Sequence, residues 1–268
     1  MKPTVKEVEG WLEAADEVEF AALERSLEAD PRKGVREAVE RARRRLEAER
    51  AERERVAALY DFEAGIAHDH GGEVVLGLDE VGRGPLAGPL GVGAVVLPRE
   101  PLILGLNDSK QLSPKERERV AAEVKSLALA WDIEYVEPRD IDADGMAASL
   151  RQAFRRAIAR IEESGVRFDV IVLDGNPLHL DSREVSVIHG DARCASVAAA
   201  SVIAKVDRDA LMDEYAEEYP AYGFESNKGY ASAAHIEAIR KNGLCPIHRA
   251  SFCESILQEG GYVQESLF

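Results

Sequence analysis

The chain has 268 residues, with 50 Asp and Glu against 34 Lys and Arg and a formal net charge of −16. That length suits one large domain with an appendage, and Cys194, Cys245 and Cys253 provide neither a disulfide framework nor zinc-ligand spacing. With no apolar run of membrane-span length and no signal-peptide core at the start, a soluble, cytoplasmic monomer without a membrane partner is expected, and the acidic balance opposes nucleic-acid binding unless a local patch or bound cations reverse the field.

Residues 1–70 read as a helical accessory extension. The run VREAVERARRRLEAERAERERVAALY is almost free of turn residues, and Glu37–Arg41, Glu40–Arg44 and Glu49–Arg53 stand four apart with the acid first, so the spacing predicts one long charged helix. Its apolar positions Val35, Val39, Leu46, Val56 and Leu59 are sparse, which implies packing on a shorter helix around VEGWLEAADEVEFAALERSL. AHDHGGE then reads as a linker, with His68 and His70 as solvated loop residues.

Over residues 71–268 the periodicity changes. EVVLGLD and GVGAVVL are short β-branched runs bounded by glycine and proline, predicting two strands joined by a loop. QLSPKERERVAAEVKSLA predicts a helix with Ser113 at the N-cap and Pro114 at its first position, and ALAWDIEYVE a strand. Met146, Leu150, Phe154, Ile158 and Ile161 recur at helical spacing and mark a buried face. FDVIVLDGN predicts a strand ending in Asp174 and REVSVIHGD one ending in Asp191, while CASVAAASVIAKVDRDALMDEYAEEY and SAAHIEAIRKNG supply later helices, the second stopped by Gly243. Strands interleaved with helices make this an α/β domain.

The loop after the first strand formally fits G-x-G-x-x-A from Gly82 to Ala87. A dinucleotide turn would need a helix next, whereas Gly88 and Pro89 follow and the next segment reads as a strand. The acids carry more information. Any single aspartate here reads most simply as a turn or cap, yet three strands end in carboxylates, and an unpaired buried charge is expensive. Placed side by side, Asp79, Glu80, Asp174 and Asp191 form an all-oxygen set suited to Mg2+ or Mn2+. Two such ions about 3.5–4 Å apart would activate water and stabilise a leaving oxygen in phosphodiester cleavage. His189 is a candidate base, though a lone strand histidine is more often packed. Lys205, on an apolar helix, needs a partner, either one of the carboxylates or a phosphate. Asp207 and Asp209 read as surface charges balancing Arg208. In the polar turn Asn107–Lys110, Ser109 and Lys110 are candidate phosphate contacts.

In order and spacing, GLDEVGRGPLAGPLGVGAVVL, LNDSKQLS, VLDGN, HGDARCASVAAASVIAKVDRD, YPAYGFESNKGY and GLCPIHRASF closely resemble bacterial ribonuclease HII across about residues 73–253. The resemblance implies a ribonuclease H-like mixed sheet flanked by helices with a helical C-terminal part. It also implies metal-dependent cleavage on the 5′ side of a ribonucleotide embedded in duplex DNA, or of RNA in an RNA–DNA hybrid, leaving 3′-hydroxyl and 5′-phosphate ends. The family's four carboxylates fall on Asp79, Glu80, Asp174 and Asp191. Its glycine-arginine-glycine loop falls on Gly82, Arg83 and Gly84, whose backbone reads the 2′-hydroxyl, and its junction-selecting tyrosine falls on Tyr230. This chain departs from the usual pattern at His189, often lysine, at Asp207, often threonine, and in YASAAH, which replaces a glycine-threonine pair. The glycine-arginine-glycine loop disfavours the related ribonuclease HIII.

QESLF, residues 264–268, looks like a sliding-clamp pentapeptide, with Gln264 as anchor and Leu267 and Phe268 entering an apolar pocket; a frayed end is the plainer reading. Two other functions stay open on the sequence. One is another two-metal nuclease of the same fold, resolvase-like, which has no use for a 2′-hydroxyl reader. The other is a non-catalytic nucleic-acid or clamp-binding relative, which has no use for four acids.

Overall fold

The computed structural model describes residues 3–259, apart from the Glu259 side chain. The chain divides into two compact units, Met1–Ala57 and Ala58–Phe268. In the first, α1 (Val5–Ala14), α2 (Glu17–Leu27) and the beginning of α3 (Lys33–Asp69) enclose Val8, Leu12, Phe20, Val35 and Leu46. The expected single shorter helix is two. Asp16 caps α2 by accepting from the Glu19 backbone while the Glu19 side chain returns to the cap, and this reciprocal bond favours a new start over continuation. Of the expected ion pairs, Glu40–Arg44 forms at 3.2 Å. Arg41 instead reaches Glu9 of α1 at 2.7 Å, and Glu49 takes Arg45 at 2.9 Å.

α3 also takes in the first three residues of the expected linker, Ala67–Asp69, so His68 lies in its last turn, while His70 follows the helix; both histidines are exposed, as expected. The reason is burial in the second unit: Ala67, with Phe62 and Ile66 beside it, packs against Val75, Val170, Val172 and Val197. The sheet of that unit contains β1 (Val75–Val81), β2 (Leu90–Val96), β3 (Ala130–Val136), β4 (Val170–Asp174) and β5 (Glu184–Val187) in the order β3-β2-β1-β4-β5. β1, β2 and β3 pair antiparallel, whereas β4 pairs parallel with β1 and with β5. The mixed sheet expected from the sequence is therefore present.

Helices cover both faces. α4 (Pro114–Leu127) starts at the expected Ser113 cap, reinforced by Glu116. A short α5 (Pro138–Asp144) leads into α6 (Met146–Glu163), whose buried face Leu150, Phe154, Ile158 and Ile161 meets Leu76, Leu78, Val92 and Ile171. On the other face lies α7 (Ala195–Glu218), and α8 (Phe224–Asn227), α9 (Ala233–Asn242) and α10 (Ala250–Glu259) complete a helical C-terminal part. The alanine-rich start of α7 lets it sit almost on the strands. A Cβ on Gly77 would lie 2.3 Å from the Ser196 carbonyl carbon, and one on Gly93 2.3 Å from the Ala200 oxygen, both far inside contact distance. These strand glycines mark close backbone approach.

The N-terminus of α7 is capped from elsewhere. Its N-cap residue Cys194 makes no side-chain cap bond; instead buried Glu63 of α3 accepts the Ser196 N–H at 2.6 Å and faces the Cys194 thiol at 3.2 Å. Burial pushes the Glu63 carboxyl above its ordinary pKa, with the Ser196 and Cys194 bonds opposing. Glu63→Ala is expected to lower unfolding stability by about 1–3 kcal/mol, because a buried N–H of α7 loses its acceptor. Glu63→Gln keeps an oxygen there and should lose less; urea-unfolding midpoints of the two variants check the order.

Candidate active site

Asp79 and Glu80 lie near the end of β1, and Asp174 ends β4. The parallel register pairs Leu78 with Leu173, so one step further Asp79 and Asp174 stand on neighbouring strands. Alternation along β1 puts Asp79 on the face of Gly77, toward α7, and Glu80 on the other. Asp191 arrives differently from the expectation. β5 stops at Val187, where the Val187 carbonyl accepts the Gly175 N–H, and His189 adopts a left-handed conformation with φ 57°. Asp191 then sits in a 3-10 turn, Gly190–Ala192, just before α7. The turn is tied to the neighbouring acid by Gly190 N–H donating to Asp174 Oδ1 at 2.6 Å. His189 itself is exposed, neither in a strand nor packed.

Asp79 and Asp191 are buried, 5% and 6% exposed. Burial pushes Asp79 well above the carboxylate range, with the Glu80 charge next and a bond from Ser201 of α7 opposing. Glu80 is raised by burial, offset chiefly by Arg83, whose Nη1 lies 3.4 Å from Oε1. Asp191 is raised by burial and then by the charges of Asp174 and Asp108, with Lys110 opposing from 3.4 Å. The acids thus feel one another's charge and have two exposed cations beside them, Arg83 and Lys110. Among the described residues no group of three or more His, Cys, Asp or Glu is already closed into a metal-binding shell.

Other expected site residues separate. Ser109 is buried and its hydroxyl bonds that of Ser201 at 3.0 Å, so it orders the partner of Asp79 and is not an open phosphate contact. Lys205 reaches none of the four acids: its Nζ lies 2.5 Å from Asp209, one turn along α7, and Asp209 also takes Arg117 at 3.6 Å. Asp207 bonds Lys125 at 3.0 Å and the Tyr135 hydroxyl at 3.3 Å. Neither aspartate neutralises Arg208 by contact, because that side chain is wholly buried and donates to the carbonyls of Pro89, Ala87 and Lys228.

Arg208 has a counterpart that the sequence reading missed. Buried Arg249 donates to the carbonyls of Gly82, Arg83 and Gly88 at 2.6, 3.1 and 2.8 Å. Five carbonyls of the loop 82–89 are therefore turned inward onto two guanidinium groups. Gly82, at φ 78°, leaves no room for a side chain: a Cβ would lie 2.2 Å from Arg208 Nε. A Cβ on Gly84 would meet nothing within 4 Å, so that position faces open space. The same loop is joined to Gly229, whose carbonyl accepts from Leu86 at 2.8 Å and Ala87 at 3.3 Å, and the next residue, Tyr230, is 45% exposed. Basic residues within apolar segments, VDRDALM and PIHRASF, were the available signal for both arginines.

The ribonuclease HII family model matches residues 76–255, and the ribonuclease HII N-terminal domain model matches residues 4–67. The chain belongs to the ribonuclease HII family. Ribonuclease HII of Clostridium acetobutylicum is 40% identical over 258 residues, covering 94% of this chain and 99% of its own. Among solved structures, ribonuclease H2 of Pyrococcus horikoshii OT3 aligns with TM-score 0.59 and 26% identity, over 70% of this chain and 98% of its own. Ribonuclease HII of Archaeoglobus fulgidus, solved in complex with PCNA, aligns with TM-score 0.58 and 23% identity over 71% and 98%. Like its relatives named ribonuclease HII, this chain is an endoribonuclease, a hydrolase.

In this chain the raised carboxyls have a thermodynamic consequence. A folded pKa above the unfolded value of about 4 contributes stability at acid pH that is lost as pH rises through the folded value. Asp79→Asn is therefore expected to stabilise the metal-free protein, with the gain over the parent opening above about pH 4. Each kcal/mol of relieved desolvation and repulsion should raise the midpoint by about 2–4 °C. Thermal unfolding in chelator from pH 4 to 8 measures it, and a variant less stable than the parent at pH 8 contradicts this account.

Proposed function

We propose that this chain cleaves on the 5′ side of a ribonucleotide embedded in duplex DNA, and cleaves RNA in RNA–DNA hybrids, leaving 3′-hydroxyl and 5′-phosphate ends. The observation that carries this reading is the adjacency of two unlike devices within residues 79–89: the buried Asp79 and half-buried Glu80, then a loop whose backbone is held from behind by Arg208 and Arg249. Asp79, Glu80, Asp174 and Asp191 would hold Mg2+ or Mn2+. The donor set fits, because it is all oxygen and carries negative charge that burial makes costly. A divalent cation bound there supplies Lewis-acid activation of water and of the phosphodiester.

The remaining roles belong to the chain's own groups. With the carbonyls of Gly82 and Arg83 engaged inward, the loop backbone is fixed where Gly84 leaves space for a sugar, and a 2′-hydroxyl contact there separates RNA from DNA. Lys110, exposed and 3.4 Å from Asp191, is placed to meet a phosphate. Tyr230 offers an exposed ring on which the following nucleotide stacks. Given magnesium and a labelled duplex carrying one ribonucleotide, the chain is expected to cut at its 5′ side, and Asp79→Asn or Asp174→Asn should lower kcat by about a hundredfold or more. An unchanged rate in either variant contradicts the assignment.

A sliding-clamp contact is a second proposal, resting on Gln264, Leu267 and Phe268, which lie outside the described residues. The archaeal relative solved with PCNA makes a clamp the partner to try. Deleting residues 264–268 should abolish pull-down by the bacterial clamp, and retained binding rejects it.

A further inference from the structure

Two buried histidines lie outside the chemistry above. His235, in the first turn of α9, and His248, just before α10, are 0% and 5% exposed, and their Nε2 atoms stand 3.1 Å apart. The far nitrogen of each ring meets a backbone group of fixed polarity. His248 Nδ1 accepts the Cys245 N–H at 2.9 Å, and His235 Nδ1 faces the Tyr230 carbonyl at 2.8 Å. An amide N–H only donates and a carbonyl only accepts. His248 therefore carries its proton on Nε2 and gives it to His235 Nε2, which leaves the His235 proton on Nδ1, directed at Tyr230.

Every donor in this chain meets an acceptor only while both rings are neutral. Burial lowers the pKa of His235, and burial together with the neighbouring ring lowers that of His248 to about 4. The Cys245 thiol, 3.0 Å from His248 Nδ1, is pushed up to about 11 by burial and stays protonated. The rings are wedged by aromatics: Phe224 meets His235 edge-on at 5.3 Å and Tyr222 meets His248 at 4.8 Å.

The far end of the chain is a residue whose backbone is tied on every side. The Tyr230 N–H donates to Asn227 at 2.9 Å, and its carbonyl accepts from Ser232 at 2.8 Å as well as from His235. The residue nevertheless stays 45% exposed. His248 also pairs with Ala87 in an isolated antiparallel bridge, and Arg249 N–H donates to the Leu86 carbonyl at 2.8 Å. The two rings thus join residues 245–249 to Tyr230, and the backbone of His248 and Arg249 ties that segment to the loop 82–89.

We propose that His248 and His235 form a neutral two-imidazole relay that fixes Tyr230 relative to the loop 82–89 and so sets the preference for duplex DNA carrying one ribonucleotide over an RNA–DNA hybrid. The inference rests on the reading of Tyr230 given above. His235 and His248 are positioning residues that act through the Tyr230 backbone.

The test measures kcat/KM with magnesium on both substrates for the parent, Tyr230→Ala, His235→Phe, His235→Asn and the double variant Tyr230→Ala/His235→Phe. Phenylalanine fills the ring volume without a donor, whereas the asparagine carboxamide nitrogen reaches the place of Nδ1. His235→Phe should lower the substrate-preference ratio about tenfold, as misplacing a positioned group does, and His235→Asn should recover most of it. The double variant should match Tyr230→Ala, because the two changes act on one group. If Tyr230→Ala lowers the ratio and His235→Phe lowers both rates alike, the relay inference falls and the reading of Tyr230 stands. If Tyr230→Ala leaves the ratio unchanged, both fall. Long-range 15N–1H spectra of the full-length parent add a readout independent of folding in the variants: His248 as the Nε2–H tautomer and His235 as the Nδ1–H tautomer support the relay, and either opposite tautomer overturns it.

Discussion

The close approach of α7 to β1 and β2 is the constraint on which the site depends. Because Gly77 and Gly93 have no side chains, the backbone of α7 rests on theirs, and one helix then serves several tasks. Its first residues follow the turn that carries Asp191, Ser201 bonds Asp79, and Arg208 reaches back to the loop carbonyls. A methyl group at either glycine would push the helix outward and displace all three together, since close-packed interiors transmit such shifts without absorbing them. The acids of the strands and the loop after β1 are therefore in register through a single helix.

The two halves of the site are built on opposite electrostatic terms. At the strand ends, negative groups are held near one another with part of their charge unanswered, and burial raises three of them. Behind the loop, two guanidinium groups are buried against carbonyl dipoles with no carboxylate of the described residues in contact, and burial lowers their pKa values. Each arrangement is costly in isolation, because desolvated charge is repaid only by well-aimed partners. The first is relieved by cations and the second by the loop itself. The fold accordingly gives up stability at the carboxylates of the candidate site and recovers rigidity next to it.

Much of this was legible in the sequence because it is written in local patterns. The α6 stripe, the Ser113 cap and the strands ending in Asp79–Glu80 and Asp174 follow from periodicity, cap chemistry and the rarity of buried acids. The failures share a cause. SVI looks extended and predicts Asp191 at the end of a strand, yet the left-handed His189 and the bond from Gly190 to Asp174 turn the chain, and that bond is to a residue not adjacent in sequence. A sequence gives Lys205 a site carboxylate or a phosphate as partner and Ser109 a phosphate, because it does not show that Asp209 and Ser201 already hold them. Arg208, Arg249, His235 and His248 act through backbone carbonyls and amides, which carry no letter in a sequence.

Glu63 has a bearing on how such a chain can be shortened. The glycines at 71 and 72 invite a cut there, between a helical extension and the first strand. Residues 58–69 nevertheless belong to the second unit: Leu59 and Ala67 lie in its cores, and Glu63 supplies the acceptor that α7 lacks. A fragment starting at the glycines would expose the apolar seat of those residues and leave the Ser196 amide, in the first turn of α7, bare. The severable extension, in the sense of what the catalytic unit can lose and remain whole, ends inside a continuous helix, where no turn or change in composition announces it.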